Sequence, residues 1–254
     1  MCIKDYLRTR FVSLLAMTLT GGLTLSAQTD YTSLITNPSF EQNADGWEHK
    51  SMGAQGNSVF DIKDGKTYMV PVNKFGIKLM SIGMMVDAST PLIWRGPMAT
   101  SALTQLMTET DWGELDFLVV DMPPGTGDIQ LCMAQNFKVS GSIIVTTPQK
   151  VAFADVRRAA NMFKHKGVSV PIIGLVENMA YFTPSDLPDK KYYIFGQGHG
   201  KEFAEELGIP FLGSIPMDEN IATAGDKGTP YTFGNFGPVT AAFEKVARKV
   251  IELV

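Results

Sequence analysis

The sequence predicts an α/β protein built on a mostly parallel sheet that helices cover on both faces. From about residue 70 to the end of the chain, short apolar runs alternate with segments in which apolar residues recur at helical spacing. Residues 117–120 are apolar throughout, as expected for a strand that is buried on both faces of a sheet. The closing segment carries apolar residues three and four positions apart, which is typical of an amphipathic helix.

Residues 1–27 resemble a secretory signal peptide. Basic side chains precede an apolar stretch at 11–25, and Ser26 and Ala27 are small residues at a plausible cleavage point. An ordinary amphipathic first helix is the alternative interpretation. The apolar stretch is short and mixed for a transmembrane helix, so no stable membrane span is predicted.

Residues 28–69 are rich in turn residues and isolated aromatic side chains. Residues 34–41, followed by Asp45-Gly-Trp47, resemble the first strands of secreted carbohydrate-binding β-sandwiches. This segment is too short for a complete sandwich, which needs about 100 residues. We therefore expect either a partial β-module or a polar linker.

One short stretch imitates a phosphate-binding loop. Asp64-Gly-Lys-Thr67 ends like the motif G-x-x-x-x-G-K-[ST], but Phe60 stands where the first glycine is required. Pro71 and Gly76 would interrupt the helix that should follow. The sequence therefore argues against a phosphate-binding loop here.

The body of the chain, residues 70–254, is predicted to alternate strands and helices in order. Strands are predicted at 77–82, 92–94, 117–120, 141–147, 171–176 and 210–215. Helices are predicted at 99–110, 129–137, 151–164, 202–207 and from 239 to the end. This order favours a sheet with ligands bound beyond the carboxyl ends of its strands.

A carboxylate and a glycine loop follow the strand at 117–120. Asp121 stands at the carboxyl end of that strand, and two prolines and two glycines then force an irregular loop over 122–127. Such a carboxylate suits Mg²⁺, and backbone N–H groups of the loop suit phosphate. A turn capped by Asp121 is the simpler alternative.

The run Asp121-Met-Pro-Pro-Gly-Thr-Gly-Asp128 resembles the Walker B and switch II segment of the Mrp-type (ApbC-type) iron–sulfur cluster carrier ATPases, in the MinD/ParA group of P-loop proteins. The resemblance covers about residues 74–254. Further segments match in the same order, at 74–83, 94–98, 111–116, 146–149, 155–157, 176–179 and 211–216. It implies a doubly wound, mostly parallel sheet of the P-loop NTPase type.

The resemblance also implies roles for seven residues in binding ATP with Mg²⁺. Asp121 would hold the metal, a loop would sense the γ-phosphate, an asparagine would contact adenine, and a second loop would line the adenine pocket. The corresponding loop, asparagine and pocket residues are Gly125, Thr126, Gly127, Asn178, Pro216 and Asp218. The stretch Gly196-Gln-Gly-His-Gly-Lys201 resembles a phosphate-binding loop that opens a helix. In the family, the segment at this position lies away from the triphosphate, so the resemblance favours a structural turn.

Two departures separate the chain from the family pattern. The Walker A loop, G-K-G-G-V-G-K-[ST], has no counterpart in residues 1–73. The expected sheet is therefore incomplete and lacks the P-loop strand, and ATP binding and hydrolysis are expected to be impaired. The C-x-x-C pair that many members use to hold an Fe–S cluster is absent from residues 180–195.

These features suggest a composite chain whose junction lies near residues 69–73. The first hypothesis is a truncated or chimeric iron–sulfur cluster carrier that acts as a cytoplasmic homodimer on Fe–S apoproteins. The alternative is a secreted, non-enzymatic carbohydrate-binding or surface protein with Trp47 as a sugar-stacking side chain. The signal-like segment would imply export, and the net charge of −4 gives no reason to expect nucleic acid.

Overall fold

The computed structural model describes residues 10–16, 51–52, 57–58, 60–63, 65–84 and 96–254. These residues fall into two compact units. The first unit contains residues 10–16, 116–126 and 130–254, and the second contains the described residues between 51 and 115 together with 127–129.

Strands and helices are numbered here along the described part of the chain. The strands are β1 (Arg10–Ala16), β2 (Ser51–Met52), β3 (Asn57–Ser58), β4 (Phe60–Lys63), β5 (Lys66–Met69), β6 (Val72–Lys74), β7 (Ile77–Leu79), β8 (Phe117–Asp121), β9 (Gly141–Thr146), β10 (Ile172–Glu177) and β11 (Phe211–Ser214). The helices are α1 (Gly96–Thr108), α2 (Asp128–Asn136), α3 (Lys150–Lys164), α4 (His199–Leu207), α5 (Glu219–Asp226) and α6 (Pro238–Leu253). None of these helices is long and apolar enough to cross a membrane.

The first unit is built on a five-stranded sheet with the order β11-β10-β9-β1-β8. Every neighbouring pair in this sheet is parallel, so all five carboxyl ends lie at the same edge. The chain places β8 on one side of β1 and then β9 on the other. Strand order therefore reverses at β1, which makes this part of the edge the topological switch point where ligands bind in open α/β sheets.

The position of β1 corrects part of the sequence prediction. The parallel α/β class is confirmed, but residues 10–16 form a strand and not a helix, and this strand pairs with β8 and β9 at the interior position that we expected to be empty. An interior parallel strand needs the same apolar composition as the core of a leader peptide, so composition could not separate the two. The proposed boundaries at 1–27, 28–69 and 70–254 remain predictions, because most residues before 60 lie outside the described part.

Apolar side chains between the sheet and its helices form the core of the first unit. Ile144, Leu175 and Leu212 on neighbouring strands have no exposed area. α6 adds Val250 to a cluster that includes Leu212 and Val176, and Val246 and Val254 pack against the same cluster at helical spacing. This buried core therefore supports the strands whose carboxyl ends form the edge of the sheet.

The second unit contains antiparallel hairpins, which differ from the strands predicted there. β4 pairs with β5 and β6 pairs with β7, so the predicted strand at 77–82 is shorter and lies in a hairpin. Gly65, with φ of +73°, occupies the β4–β5 turn, and Lys66 and Thr67 belong to β5. No helix follows them, which agrees with our rejection of a phosphate loop. The predicted strand at 92–94 lies outside the described residues.

Candidate functional site

The carboxyl edge of the sheet collects most of the residues singled out from the sequence. Asp121 is the last residue of β8, Asn178 follows the last residue of β10, and Pro216 lies two positions beyond β11. Three strand spacings separate β8 from β10, which corresponds to about 14 Å along the edge. This span suits an extended nucleotide that has its metal and phosphates near β8 and its base near β10.

Asp121, whose role in holding a metal stays a prediction, ends β8 at the carboxyl edge of the sheet. Much of the residue is exposed, yet partial burial raises the pKa of its carboxyl above the ordinary value. The cause is desolvation of the charged form. A divalent cation would lower this pKa again, because a nearby positive charge favours the ionised carboxylate. The environment of Asp121 therefore fits Mg²⁺ held directly or through water.

The loop after β8 is shaped by one glycine and anchored by one buried amide. Gly125 has φ of +111°, a conformation that side-chain-bearing residues rarely adopt. The side-chain amide of Gln130, which is 2% exposed, donates a hydrogen bond to the carbonyl of Pro123 at 2.6 Å. Thr126 and Gly127 complete the loop before α2 and are exposed. The loop is thus tethered at its start and accessible at its tip.

Asn178 has a defined side-chain orientation. Its backbone N–H donates to the carbonyl of Thr146 at 2.7 Å, and its Oδ1 accepts the backbone N–H of Met179 at 2.9 Å. Met179 itself adopts a left-handed φ of +56°. Within the described part of the chain, Nδ2 of Asn178 has no recorded partner. The amide group can therefore donate to a ligand at this edge.

Pro216 and Asp218 lie on the segment that joins β11 to α5. Pro216 is buried, and the backbone N–H of Met217 donates to the carbonyl of Tyr181 at 2.7 Å. Asp218 is the N-cap of α5 and accepts hydrogen bonds from Asn220 and from the hydroxyl of Tyr231 at 3.1 Å. Both of its oxygens are therefore engaged within the protein. A pocket-lining role for Asp218 remains a prediction and would have to come from its position.

Desolvation is the larger cause of the raised pKa of the Tyr231 phenol, and its hydrogen bond to Asp218 adds to it. The phenol therefore remains the protonated donor in this contact. Tyr231 ties the loop after α5 back to the start of that helix. This contact stabilises the segment that carries Pro216.

The sequence analysis missed Glu177, the last residue of β10. Its side chain is buried, with 4% of the residue exposed, and its carboxylate accepts the backbone N–H of Gly200 at 2.8 Å and the hydroxyl of Ser214 at 3.0 Å. The signal available from the sequence was a charged residue at the end of an otherwise apolar strand. The Glu177 carboxylate thus lies where an anion would sit at the start of α4.

This contact explains the glycine-rich stretch before α4. Gly198, with φ of +75°, caps the helix, and Gly200 lets the backbone approach Glu177. The helix start is therefore satisfied from within the protein, as a structural turn requires. The helix begins three residues earlier than predicted, because the two glycines are part of its capping arrangement.

The described residues do not fit an Fe–S cluster held entirely by this chain. Residues 180–195 contain no cysteine, and Cys132 is the single cysteine in the described part. The described segments also contain no group of three or more His, Cys, Asp or Glu side chains that could hold a metal ion. A cluster handled by this protein would be cargo whose ligands are completed by other chains.

Comparison with known proteins identifies relatives of the chain. The family model for ParA, described as NUBPL iron-transfer P-loop NTPase, matches residues 49–251. This match begins within the segment that we expected to be a partial β-module. The iron–sulfur cluster carrier protein of Aquifex aeolicus (strain VF5) is 49% identical over 189 residues, which is 73% of this chain and 51% of that protein. The iron–sulfur cluster transfer protein NUBPL of Dictyostelium discoideum is 45% identical over 185 residues, or 72% of this chain and 56% of that protein.

Solved structures support the same fold. A nucleotide-binding protein from Archaeoglobus fulgidus in complex with ADP has a TM-score of 0.56 and 28% identity, covering 87% of this chain and 74% of that chain. The septum site-determining protein MinD of Pyrococcus horikoshii OT3, complexed with Mg-ADP, has a TM-score of 0.52 and 16% identity, covering 96% and 97%. The second likeness concerns the fold alone. This chain spans about half the length of the curated relatives it matches.

Proposed function

Because the chain belongs to the family of NUBPL-type iron-transfer P-loop NTPases, we propose that it is an iron–sulfur cluster carrier or assembly protein that binds ATP with Mg²⁺. One observation carries the nucleotide part of this proposal. Asp121 and Asn178 lie beyond the carboxyl ends of parallel strands, at one edge of one sheet, on either side of the topological switch point. The spacing and residue types suit a metal at one end of the site and a base at the other.

Each part of the edge then has a role in binding. Asp121 holds Mg²⁺, and the loop containing Gly125, Thr126 and Gly127 presents backbone N–H groups to phosphate. Bound Mg²⁺ would neutralise charge on the phosphates. Asn178 meets the base edge, while Pro216 and Asp218 belong to the loop that bounds the adenine pocket.

We further propose that nucleotide binding is weak and that the chain does not hydrolyse ATP. The printed sequence contains no complete G-x-x-x-x-G-K-[ST] motif. That loop normally supplies the N–H cradle and the lysine that hold the β- and γ-phosphates. Without these groups, Asp121 can still hold a metal, but the site binds the triphosphate only weakly.

The proposed cargo step needs other polypeptide chains. Because the residues at 180–195 supply no thiolate, the cluster would be held with ligands from an apoprotein client or another partner. A homodimer, with nucleotide near the subunit interface, and a cytoplasmic location follow from the resemblance to the carriers and belong to the proposal. The signal-like character of residues 1–27 is an untested expectation that would instead imply export.

The carbohydrate-binding alternative is not taken further. The family match already begins at residue 49, within the segment on which that alternative was based. Trp47, its sugar-stacking candidate, lies outside the described residues. No contact in the described structure favours a sugar site.

A pair of aspartates at opposite ends of one strand tests the nucleotide proposal. Asp121 ends β8, whereas the exposed Asp116 precedes its first residue. We expect Asp121→Asn to reduce the enhancement of ADP binding by Mg²⁺ about tenfold, the usual loss when a group that orients a metal is removed. Asp116→Asn should leave that enhancement unchanged. Calorimetric titration with ADP, with and without Mg²⁺, measures both.

Two results would overturn parts of the proposal. If both aspartate variants retain the full Mg²⁺ enhancement, Asp121 does not hold the metal. Sustained ATP turnover that Asp121→Ala abolishes would show that the chain is a working ATPase, contrary to the expected impairment. Transfer of a cluster to an apoprotein, followed by the absorbance of the acceptor, tests the carrier function itself.

A further inference from the structure

A buried carboxylate beside the proposed base site has no role in the function proposed so far. Glu177 is 4% exposed, and within the described part of the chain it has no salt-bridge partner. Its two oxygens are satisfied instead by the N–H of Gly200 and the hydroxyl of Ser214. Burial of a carboxylate is unfavourable without such hydrogen bonds, so this geometry is tightly specified.

Glu177 joins three segments that are far apart in the sequence. Its carboxylate contacts the start of α4 and the last residue of β11, while its own backbone carbonyl accepts the N–H of Ile215 at 2.8 Å. Asn178 is the next residue along the chain, and Pro216 follows Ile215. Glu177 therefore links both sides of the proposed base site, through its carboxylate to Ser214 and through its backbone carbonyl to Ile215.

The close approach at α4 shows how specific this contact is. A Cβ atom added to Gly200 would lie 2.7 Å from Oε1 of Glu177, closer than real Cβ atoms come to other atoms. Movement of the Glu177 side chain would therefore disturb its contacts with the start of α4 and with the end of β11.

A fixed amide at Asn178 can distinguish adenine from guanine. Because Met179 donates its N–H to Oδ1, the positions of oxygen and nitrogen in the amide are set. An asparagine amide can pair with N6 and N7 of adenine, accepting from N6 and donating to N7. Guanine carries an acceptor, O6, in place of the N6 amino group, so the same amide orientation disfavours it.

We propose that Glu177 is a positioning residue that sets the preference of this site for adenine over guanine nucleotides. The proposal rests on the nucleotide binding proposed above and adds to it the source of base selectivity. Glu177 does not touch the nucleotide. It acts by holding Asn178 and the segment of Pro216 at a constant separation.

Binding of three probes to Glu177 variants tests this role. The probes are ADP, GDP and inorganic pyrophosphate, each titrated calorimetrically into the full chain in the presence of Mg²⁺. We expect Glu177→Ala to reduce the ratio of ADP to GDP affinity about tenfold, the size of one well-placed bidentate contact. Pyrophosphate affinity should be unchanged, because it depends on the region of Asp121.

Two further variants separate positioning from general stability. Glu177→Gln retains an acceptor for the N–H of Gly200 and should keep most of the selectivity. Glu202→Gln changes an exposed carboxylate in the first turn of the same helix and should keep all of it. An unchanged ADP to GDP ratio in a folded Glu177→Ala protein would overturn the proposal. So would a parallel loss of pyrophosphate affinity, which indicates general structural damage.

A milder substitution covers the case in which Glu177→Ala does not fold. Ser214→Ala removes one of the two donors to the carboxylate and should lower the affinity ratio by an intermediate amount, about threefold. A ratio equal to that of the wild-type chain would then overturn the proposal. If the wild-type chain binds neither ADP nor GDP, the proposed nucleotide function fails first and this inference fails with it. If the wild-type chain prefers ADP to GDP and every Glu177 variant keeps that preference, only the positioning role of Glu177 is refuted.

Discussion

At the scale of single residues, Asp121 illustrates how a binding group can lower the stability of the fold. Its folded-state pKa is raised, so the folded chain binds more protons than the unfolded chain. The free energy of unfolding therefore falls as pH rises from the ordinary carboxyl pKa through the raised one. Above that interval the ionised carboxylate carries its full desolvation cost.

Replacing this carboxylate should consequently stabilise the empty protein. We expect Asp121→Asn to raise the free energy of unfolding at neutral pH by at most about 0.5 kcal/mol, since the residue is largely exposed. The gain should vanish at pH about 3, where the wild-type carboxyl is protonated. Urea unfolding at the two pH values measures the difference, with Asp116→Asn as control. A gain of equal size at both pH values would rule out this explanation.

Gly125 is a second residue whose role can be tested directly. Its φ of +111° is open to glycine, and no atom lies within 4 Å of the position that a Cβ would take. Gly125→Ala should therefore destabilise the fold by about 1 to 2 kcal/mol through backbone strain alone. Gly167 has no positive φ and a Cβ there would make only ordinary contacts, so Gly167→Ala should cost less than about 0.5 kcal/mol. Equal losses in thermal unfolding would contradict the strain argument.

At the scale of elements, α4 shows how a short helix is delimited from both ends. Glu177 and Gly198 satisfy its start, and Gly208, with φ of +65°, ends it. The N–H groups of Gly208 and Ile209 donate to carbonyls of the last turn, which is the usual arrangement at a left-handed helix end. Glycines therefore mark both ends of this helix.

The end of α4 provides the element-scale prediction. Gly208→Ala should lower the free energy of unfolding by about 1 kcal/mol, because alanine resists a left-handed conformation. Gly167→Ala is a suitable control, since that glycine is exposed, has no positive φ and would make ordinary contacts. It should change stability by less than about 0.5 kcal/mol. Denaturant unfolding of the two variants would refute the assignment if the control were the more damaging substitution.

Elements with strong periodicity were predicted within a few residues. α3 and α6 bury stripes with helical spacing, and their observed bounds lie within one residue of the predicted ones. α5 was missed because none of its residues is buried, so no apolar stripe marks it. Its one local signal was Asp218, an N-cap residue that the sequence analysis had assigned to a binding pocket.

At the scale of the whole molecule, the strand at residues 10–16 is the main unexpected feature. β1 pairs with β8 through Leu14 and Asp121, and with β9 through Leu14 and Ile143. An interior strand requires a backbone N–H at each paired position. A proline there would remove one donor and should cost about 3 kcal/mol or more.

Leu14→Pro therefore decides between the two interpretations of the first residues. If β1 belongs to the folded protein, this variant should unfold at a markedly lower urea concentration, while Leu14→Ile, which keeps the N–H, should change stability little. If residues 1–27 are removed as a leader, both variants should unfold like the wild-type chain. Mass determination of the purified product shows which residues are present.

The class of the sheet, the strand that carries Asp121 and the kinship with iron–sulfur cluster carriers could all be predicted from the amino-acid sequence. Those conclusions rest on local periodicity and on residue order, which need no knowledge of what lies opposite in space. The arrangement in space was needed to show that residues 10–16 fill the interior of the sheet and that Glu177 joins three segments. The physical reason is that a buried strand or a buried carboxylate is satisfied by partners far along the chain, and the fold alone brings those partners together.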